Sequence, residues 1–487
     1  MRRRDGGLET RWTVLAAAGA RGALAVDGAG RVVTGRHGWS LDWQFGAGEQ
    51  LCTPGVAASL RQRTVGADDG APVALETVAR AAGGDMSELA YVGLAAGAGA
   101  GALGVVEFAN RTSAPVAVTL RLQAGDFWRV DGLWRVEVDG AGALANGSRA
   151  LWWQRPPAAE RLVADTGAAP GRWSESPSGS TRGARGAQRV TSRHGRAAGE
   201  FTWPVTHGTA LRILLPLEAG DAVPAAPAVV PDLGQVGRGW DLHTAEGLRV
   251  VGLGEGRIGE LVAAAIRRLL ALDIPSGAGE GADGRLSPGE RALVASALAV
   301  AGHAGRAAEV VSVRAARNPS AAVRLARREA ARITEPFGAA AGITSRMAAA
   351  AGPGGGWVGE RGGDDPGLRA AFLLAVRDTL VSEQGGCLDL LAGADLAGSR
   401  PPIEVHRLGT GCGLLSYAIR WHGETPALLW ELVPPTTPPE SWASVLAGPG
   451  SRHGGDAAAT TAAQLRVSVL SESWSTRDGS GESLLSP

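Results

Sequence analysis

The 487-residue sequence predicts a multidomain α+β protein: an antiparallel β-sandwich, then an α-hairpin region, then a small C-terminal β segment. Three observations predict it. Short apolar runs alternating with period two recur between Gly, Asp and Asn turns up to about residue 240. Apolar stripes of helical period fill 257–385, and period-two alternation returns after residue 396. At roughly 100–200 residues per domain the length suits two to four units. The boundaries fall at 8–240, 241–395 and 396–487.

In the first region, strands are expected around 23–26, 31–34, 73–78, 104–108, 116–122, 133–138 and 211–215. Val116, Val118, Leu120 and Leu122 alternate with Thr119 and Arg121, which puts one face on a core and the other in water. In GWSLDWQFG, Trp39 and Trp43 share one strand face, which fits core packing better than a sugar platform. Trp152 and Trp153 point to opposite faces. The longest uncharged run, 89–106, is mostly Gly and Ala, so it reads as two short strands around a Gly-rich turn and not as a bilayer span. Residues 167–199 are rich in Ser, Gly and Arg and hold almost no large apolar side chains, the composition of a mobile loop.

The helical region opens with a stripe at positions 258, 261, 262, 265, 266, 269 and 270. Ser287-Pro288-Gly289-Glu290 is a capping box with Pro at the first helical position. That helix runs to about 301, and a Gly302-His303-Ala304-Gly305 turn leads into a second helix over 306–315, an αα-hairpin. Further helices are expected over 320–333, 343–351 and 367–382. In the last region 403–406, 413–421 and 427–432 read as strands, 465–470 as a final strand, and the remainder as a polar tail.

Composition excludes several chemistries. The 48 basic residues are all arginine, which removes a lysine base, a Schiff-base lysine and a phosphate-loop lysine. They balance 48 acidic residues, so net charge does not suit nucleic acid or an anionic membrane as a partner. Cys52, Cys387 and Cys412 form no CxxC, and the eight histidines form no HxH or HxxxH pair, so neither a disulfide framework nor a metal site is expected. Asp5, Glu9, Arg11 and Arg21 interrupt any apolar stretch after Met1-Arg2-Arg3-Arg4, so no signal peptide is expected and a cytoplasmic location follows. A Ser-nucleophile elbow, G-x-S-x-G, does not occur.

A sandwich followed by helical hairpins resembles the six-hairpin glycosidases, the glucoamylase and trehalase-like group. The chain is also similar to a group of uncharacterised proteins from high-GC bacteria with this layout. GWSLDWQFG, VVEFANRTSAPVAV, VGRGWDLH, ALVASALAVAGHAGRAAEVV, LRAAFLLAVRDTLVSE and LSYAIRWHGETPALLWEL carry the resemblance. It implies an N-terminal sandwich packed on a shortened α/α toroid and a role in carbohydrate metabolism with an oligosaccharide or glycan as partner. A full toroid needs twelve helices, about twice what this region holds, and the acid-rich loops of active glucoamylases are not recognisable.

An inverting glycosidase needs an acid and a carboxylate about 6.5–9.5 Å apart across the scissile bond. The best local match is GGGWVGERGGDDP, 354–366, on a loop before a late helix, where toroid enzymes build their mouth. Glu335 and Glu360 are the candidate acid/base pair, Trp357 the candidate sugar platform, and Arg361, Asp364 and Asp365 the candidate hydroxyl ligands. The competing reading is that Asp364-Asp365-Pro366 caps the helix that follows. A catalytically silent glycan-binding or scaffold relative is the alternative function. A nucleotide-binding oxidoreductase rests only on G-x-G-x-x-G at 254, 256 and 259, which follows a short apolar run and opens a helix. Its acid, Asp273, stands too close to the motif and no further βαβ unit follows, so no cofactor is expected.

Overall fold

The computed structural model describes residues 13–485 except 21, 35–38, 48–49, 67–71, 82, 96–100, 126–131, 165–187, 218–229, 254–256, 273–285, 287, 313–342, 352–356, 358–364, 385–386, 395–401, 435–463 and 468–469. The fold is β-rich α+β. Its first part is a sandwich of two antiparallel sheets. One has eight strands: Thr13–Leu15, Leu24–Val26, Val32–Thr34, Trp39–Ala47, Val116–Ala124, Ala198–Val205 and Ala159–Val163 lie side by side in that order, and Gln50–Cys52 pairs with Trp39–Ala47. The other has nine, in the order Gln188–Thr191, Arg135–Asp139, Gly142–Ala145, Ser148–Trp153, Ala210–Pro216, Ala102–Asn110, Gly84–Leu94, Pro72–Ala81 and Leu60–Gly66.

Period-two alternation sets the sandwich core. Trp39, Leu41, Trp43 and Phe45 share the inner face with Val118, Leu120 and Leu122 of the neighbouring strand, and they meet Met86, Ala90, Val106, Phe108 and Ile213 of the opposite sheet. Trp39 and Trp43 are therefore core residues, as expected, at 3% and 2% exposure. Trp153 joins this core, and Trp152 is buried on the outer face beside Ala95 and Leu103. The run 89–106 contributes to two antiparallel strands, Gly84–Leu94 and Ala102–Asn110, as read. Ala102–Asn110 is nearly continuously buried because the nine-stranded sheet is covered on both faces.

Six helices are described: α1 (Leu233–Ala245), α2 (Ile258–Leu270), α3 (Pro288–Val300), α4 (Ala304–Ser312), α5 (Ile343–Ala350) and α6 (Pro366–Leu380). Five lie where sequence periodicity or capping placed them, and the helix expected over 320–333 lies outside the described residues. Helix α1 was not expected, and it runs across the boundary drawn at residue 240. Its start is a reciprocal capping box: Gln235 N donates to Asp232 Oδ1 at 2.7 Å, and Asp232 N donates to Gln235 Oε1 at 2.9 Å. Helix α1 lies on the outer face of the sandwich. Tyr91 Oη donates to Pro231 O at 3.3 Å, and Trp240 Nε1 donates to Ala16 O at 3.1 Å. A Cβ on Gly93 would stand 2.5 Å from Pro231 Cγ, so only glycine lets the chain approach this closely.

The helices do not enclose a core of their own. Leu261, Val262, Ile266 and Leu269 of α2, Leu293 and Leu298 of α3 and Phe372, Leu373 and Val376 of α6 share one cluster with Tyr91 and Val105 of the sandwich. Leu415, Tyr417, Leu428 and Leu465 of two further sheets belong to the same cluster. One helical hairpin, α3 to α4 through Gly302 at φ +83°, appears among the described residues. The helices expected over 241–395 thus share one apolar cluster with strands of three sheets. The helices pack on one another, α3 against α4 and α6, and several also meet strands contributed by distant segments, as α2 meets Arg249–Val251 and α3 meets Ile403–Thr410.

Residues 396–487 are likewise not a separate segment. Ile403–Thr410, Gly413–His422, Thr425–Val433 and Ser480–Leu484 extend a five-stranded antiparallel sheet that starts at Arg249–Val251. Gln464–Val467 and Ser471–Thr476 join Val381–Gln384 and Cys387–Leu390 in a four-stranded sheet. Two strands therefore form where a polar tail was expected. Within 167–199, residues 165–187 fall outside the described set, but Gln188–Thr191 is an edge strand paired with Arg135–Asp139, which corrects the loop reading at that end. Among the described residues no helix is long and apolar enough to cross a membrane. Cys52, Cys387 and Cys412 are free thiols.

Candidate functional site

Of the residues proposed for glycoside chemistry, Glu335, Glu360, Arg361 and Asp364 lie outside the described residues. The structure places the other two: Trp357 is buried in the core, and Asp365 caps a helix. Trp357 is 2% exposed. Its Nε1–H donates to Met347 O at 2.8 Å, and its ring packs on Phe372 at 4.8 Å between centroids. A stacking platform needs an open ring face, and this one is spent on the helical core. Asp365 is the N-cap of α6. Its Oδ1 accepts from Gly367 N at 2.8 Å and Leu368 N at 3.1 Å, and Pro366 takes the first helical position. Asp365 thus caps α6, as the competing reading has it. Asp365→Ala is expected to lower stability by about 1 kcal/mol, the usual worth of a carboxylate cap, read from the midpoint of urea unfolding.

The glycine motif also loses its context. Gly254 and Gly256 lie outside the described residues. Gly259 sits in the first turn of α2, where a Cβ would come within 2.5 Å of Val250 O, so its role is close helix–strand packing. The strand before it, Arg249–Val251, pairs antiparallel with Ile403–Thr410. A dinucleotide fold requires a parallel strand–helix–strand crossover, and this sheet has none among the described residues.

The structure instead forms an open concavity of about 440 Å³ beside α1, lined by Ala18, Gly19, Gly239, Leu242, His243 and Glu246. Leu242 is 76% exposed, a large apolar side chain held in solvent. His243 stands between two rings. Trp240 meets it edge-on at 6.1 Å, and His303, from the α3–α4 turn, stacks against it at 6.0 Å with 26° between planes. Burial, reinforced by the neighbouring His243 and opposed by Glu246, lowers the His303 pKa to about 4. His303 is therefore neutral at physiological pH. Its Nε2 has no hydrogen-bond partner among the described residues. Arg407, at φ +55°, donates from Nε to the Glu246 carbonyl and ties the end of α1 to the five-stranded sheet. No group of three or more metal-ligating side chains occurs among the described residues. The concavity offers an exposed aliphatic side chain, an imidazole and a carboxylate.

A second cluster, unforeseen from sequence, lies in the sandwich. Asp27, Asp42 and Glu88 are 6%, 8% and 0% exposed. Burial is the main reason that the Asp42 pKa rises to about 7, with Asp27 adding to it. Arg31, Gln123 and Arg121 oppose the rise without cancelling it. Burial also raises Glu88 well above the usual carboxylate range, and Asp27 and Asp42 add to that effect. The Trp43 N–H and the Thr77 hydroxyl favour the ionised form of Glu88 only weakly. No partner meets either Glu88 oxygen at hydrogen-bonding geometry among the described residues. The signal was present in GDMSELAYVGL: Glu88 occupies the same strand phase as Met86, Ala90 and Val92, the phase that faces the core.

No protein-family model matches the chain, and no curated protein matches it.

Proposed function

We propose that the protein is a glycan-binding or scaffold relative of the glycosidase-like layout and does not hydrolyse through the Trp357 loop. The observation that carries this reading is what becomes of that loop: Trp357 is consumed by the core and Asp365 by a helix cap. A large sandwich carrying a helical layer on one face fits the layout that the sequence resembles. A short oligosaccharide would seat in the concavity beside α1, with a sugar face on Leu242 and His243 and hydroxyls donating to the Glu246 carboxylate.

The test is isothermal titration with maltooligosaccharides and trehalose, run alongside hydrolysis assays on α-glucosides. The reading expects saturable binding without turnover, and binding about tenfold weaker in Glu246→Gln, since losing a hydrogen bond to a charged group costs about 1.5–3 kcal/mol. Turnover that disappears in Glu335→Gln or Glu360→Gln would restore the hydrolase. Absence of heat with every glycan would leave only the scaffold.

A further inference from the structure

The Leu24–Val26 and Val32–Thr34 strands form a hairpin whose turn, residues 27–31, is tied down on both sides of the sandwich. Within the turn, Asp27 Oδ1 accepts from Ala29 N at 2.8 Å and Arg31 N at 2.9 Å, and Asp27 Oδ2 accepts from Arg31 Nε at 3.1 Å. Towards the nine-stranded sheet, Gln62 Nε2 donates to Asp27 O at 2.7 Å and also reaches Thr77 Oγ1 at 3.0 Å. Towards the eight-stranded sheet, Arg31 Nε stands 3.9 Å from Asp42 Oδ1. Gly30, at φ +81°, closes the turn directly onto the buried carboxyl. A Cβ there would sit 2.1 Å from Glu88 Oε2 and 2.6 Å from Trp43 Nε1.

We propose that the 27–31 turn is a pH-responsive latch, which closes one side of the sandwich over Glu88 and opens when Glu88 ionises. The charged groups facing Glu88 are few. The hairpin contributes Asp27 and Arg31, and the eight-stranded sheet contributes Asp42 with Arg121 behind it and Glu200 beyond. The nine-stranded sheet contributes only the neutral Thr77 and Gln62. Ionised Glu88 would be a third carboxylate sharing one nearby arginine, in a place where burial already opposes charge. Gly30, which has no side chain to repack, lies directly against this carboxyl. The direction of the pKa shift at Glu88 agrees with a latch that is closed while the acid holds its proton.

Amide hydrogen exchange on the full chain, read by mass spectrometry from pH 6 to pH 9 and corrected for intrinsic rates, tests this. Protection over residues 24–34 should fall at least tenfold across that range while Val116–Ala124 and Ala198–Val205 keep theirs. Glu88→Gln, which mimics the protonated acid, should hold its protection throughout, and Gly30→Ala should be open even at pH 6. Asp42→Asn removes one neighbouring carboxylate that holds the Glu88 pKa up and should move the fall to lower pH than in the wild type, which keeps the test intact if Glu88→Gln does not fold. The latch is overturned by flat protection in the wild type, by the same fall in Glu88→Gln, or by a fall spread evenly over both sheets.

Discussion

Trp203→Ala is expected to lower the unfolding free energy by about 3–5 kcal/mol, the usual cost of truncating a buried indole. Trp203 lies on Ala198–Val205 opposite Val118, and it is the largest fully buried side chain among the described residues. Trp153 meets it edge-on at 6.0 Å, and Phe201 packs at 6.3 Å. Its Nε1–H donates to Arg155 O at 2.9 Å, which pins the connection after Ser148–Trp153. Truncation would leave a cavity in a sandwich whose rings cannot collapse together, because each is fixed by its strand register. It would also leave the Arg155 carbonyl without its donor. Trp203→Phe separates the two effects, since it keeps most of the volume and loses only the donor, at a cost of about 1–2 kcal/mol. Guanidinium unfolding followed by near-ultraviolet circular dichroism measures both. A Trp203→Ala loss below about 1 kcal/mol would show that this core is not close-packed.

Asp42→Asn is expected to remove a pH dependence on the order of 4 kcal/mol, because one pKa unit corresponds to about 1.4 kcal/mol. The Asp42 pKa is 3.8 in the unfolded chain and about 7 in the fold. Between those values the native state holds the proton more tightly than the unfolded state. The stabilisation is therefore fully present below about pH 4 and is lost as pH rises through about 7. His303 acts in the opposite sense. Its folded pKa is lowered to about 4, so its neutral form favours the native state near neutrality, and that contribution is lost as pH falls from 6.5 through 4. The wild-type profile sums these and the contribution of Glu88, so the informative quantity is wild type minus variant. Asparagine keeps an oxygen for Gln123 and cannot ionise, so the variant should gain relative stability as pH rises. A difference that stays constant from pH 4 to pH 8 in urea unfolding would place Asp42 in contact with water.

Much of the secondary structure was legible in the sequence because its determinants are local. In Val116–Ala124 the apolar positions face the core as expected, but Thr119 and Arg121, expected in water, are buried as well, and α2 starts at Ile258 where the apolar stripe starts. Helix α3 begins at Pro288 as its capping sequence indicates. Helix α1 was passed over because it carries no continuous apolar stripe. Its buried residues are Val236, Gly237 and Trp240, and its stability comes from a cap and from docking on the sandwich. The candidate site was less legible. Trp357 and Asp365 had the right chemistry for a sugar site, and nothing local distinguished an exposed indole from a buried one. The concavity beside α1 joins residues near 18 and 243, which no spacing rule connects.

The sequence by itself determined which segments become strands and helices, where several of them begin, and which chemistries a chain without lysine cannot perform. Only the tertiary structure decided that the helices share one apolar cluster with strands of three sheets, that Trp357 belongs to the core, and that Glu88, Asp42 and Asp27 share a buried place beneath one glycine turn. The physical reason is that period and capping act over a few residues along the chain. Burial and charge environment are set by whatever distant segments pack on the opposite side.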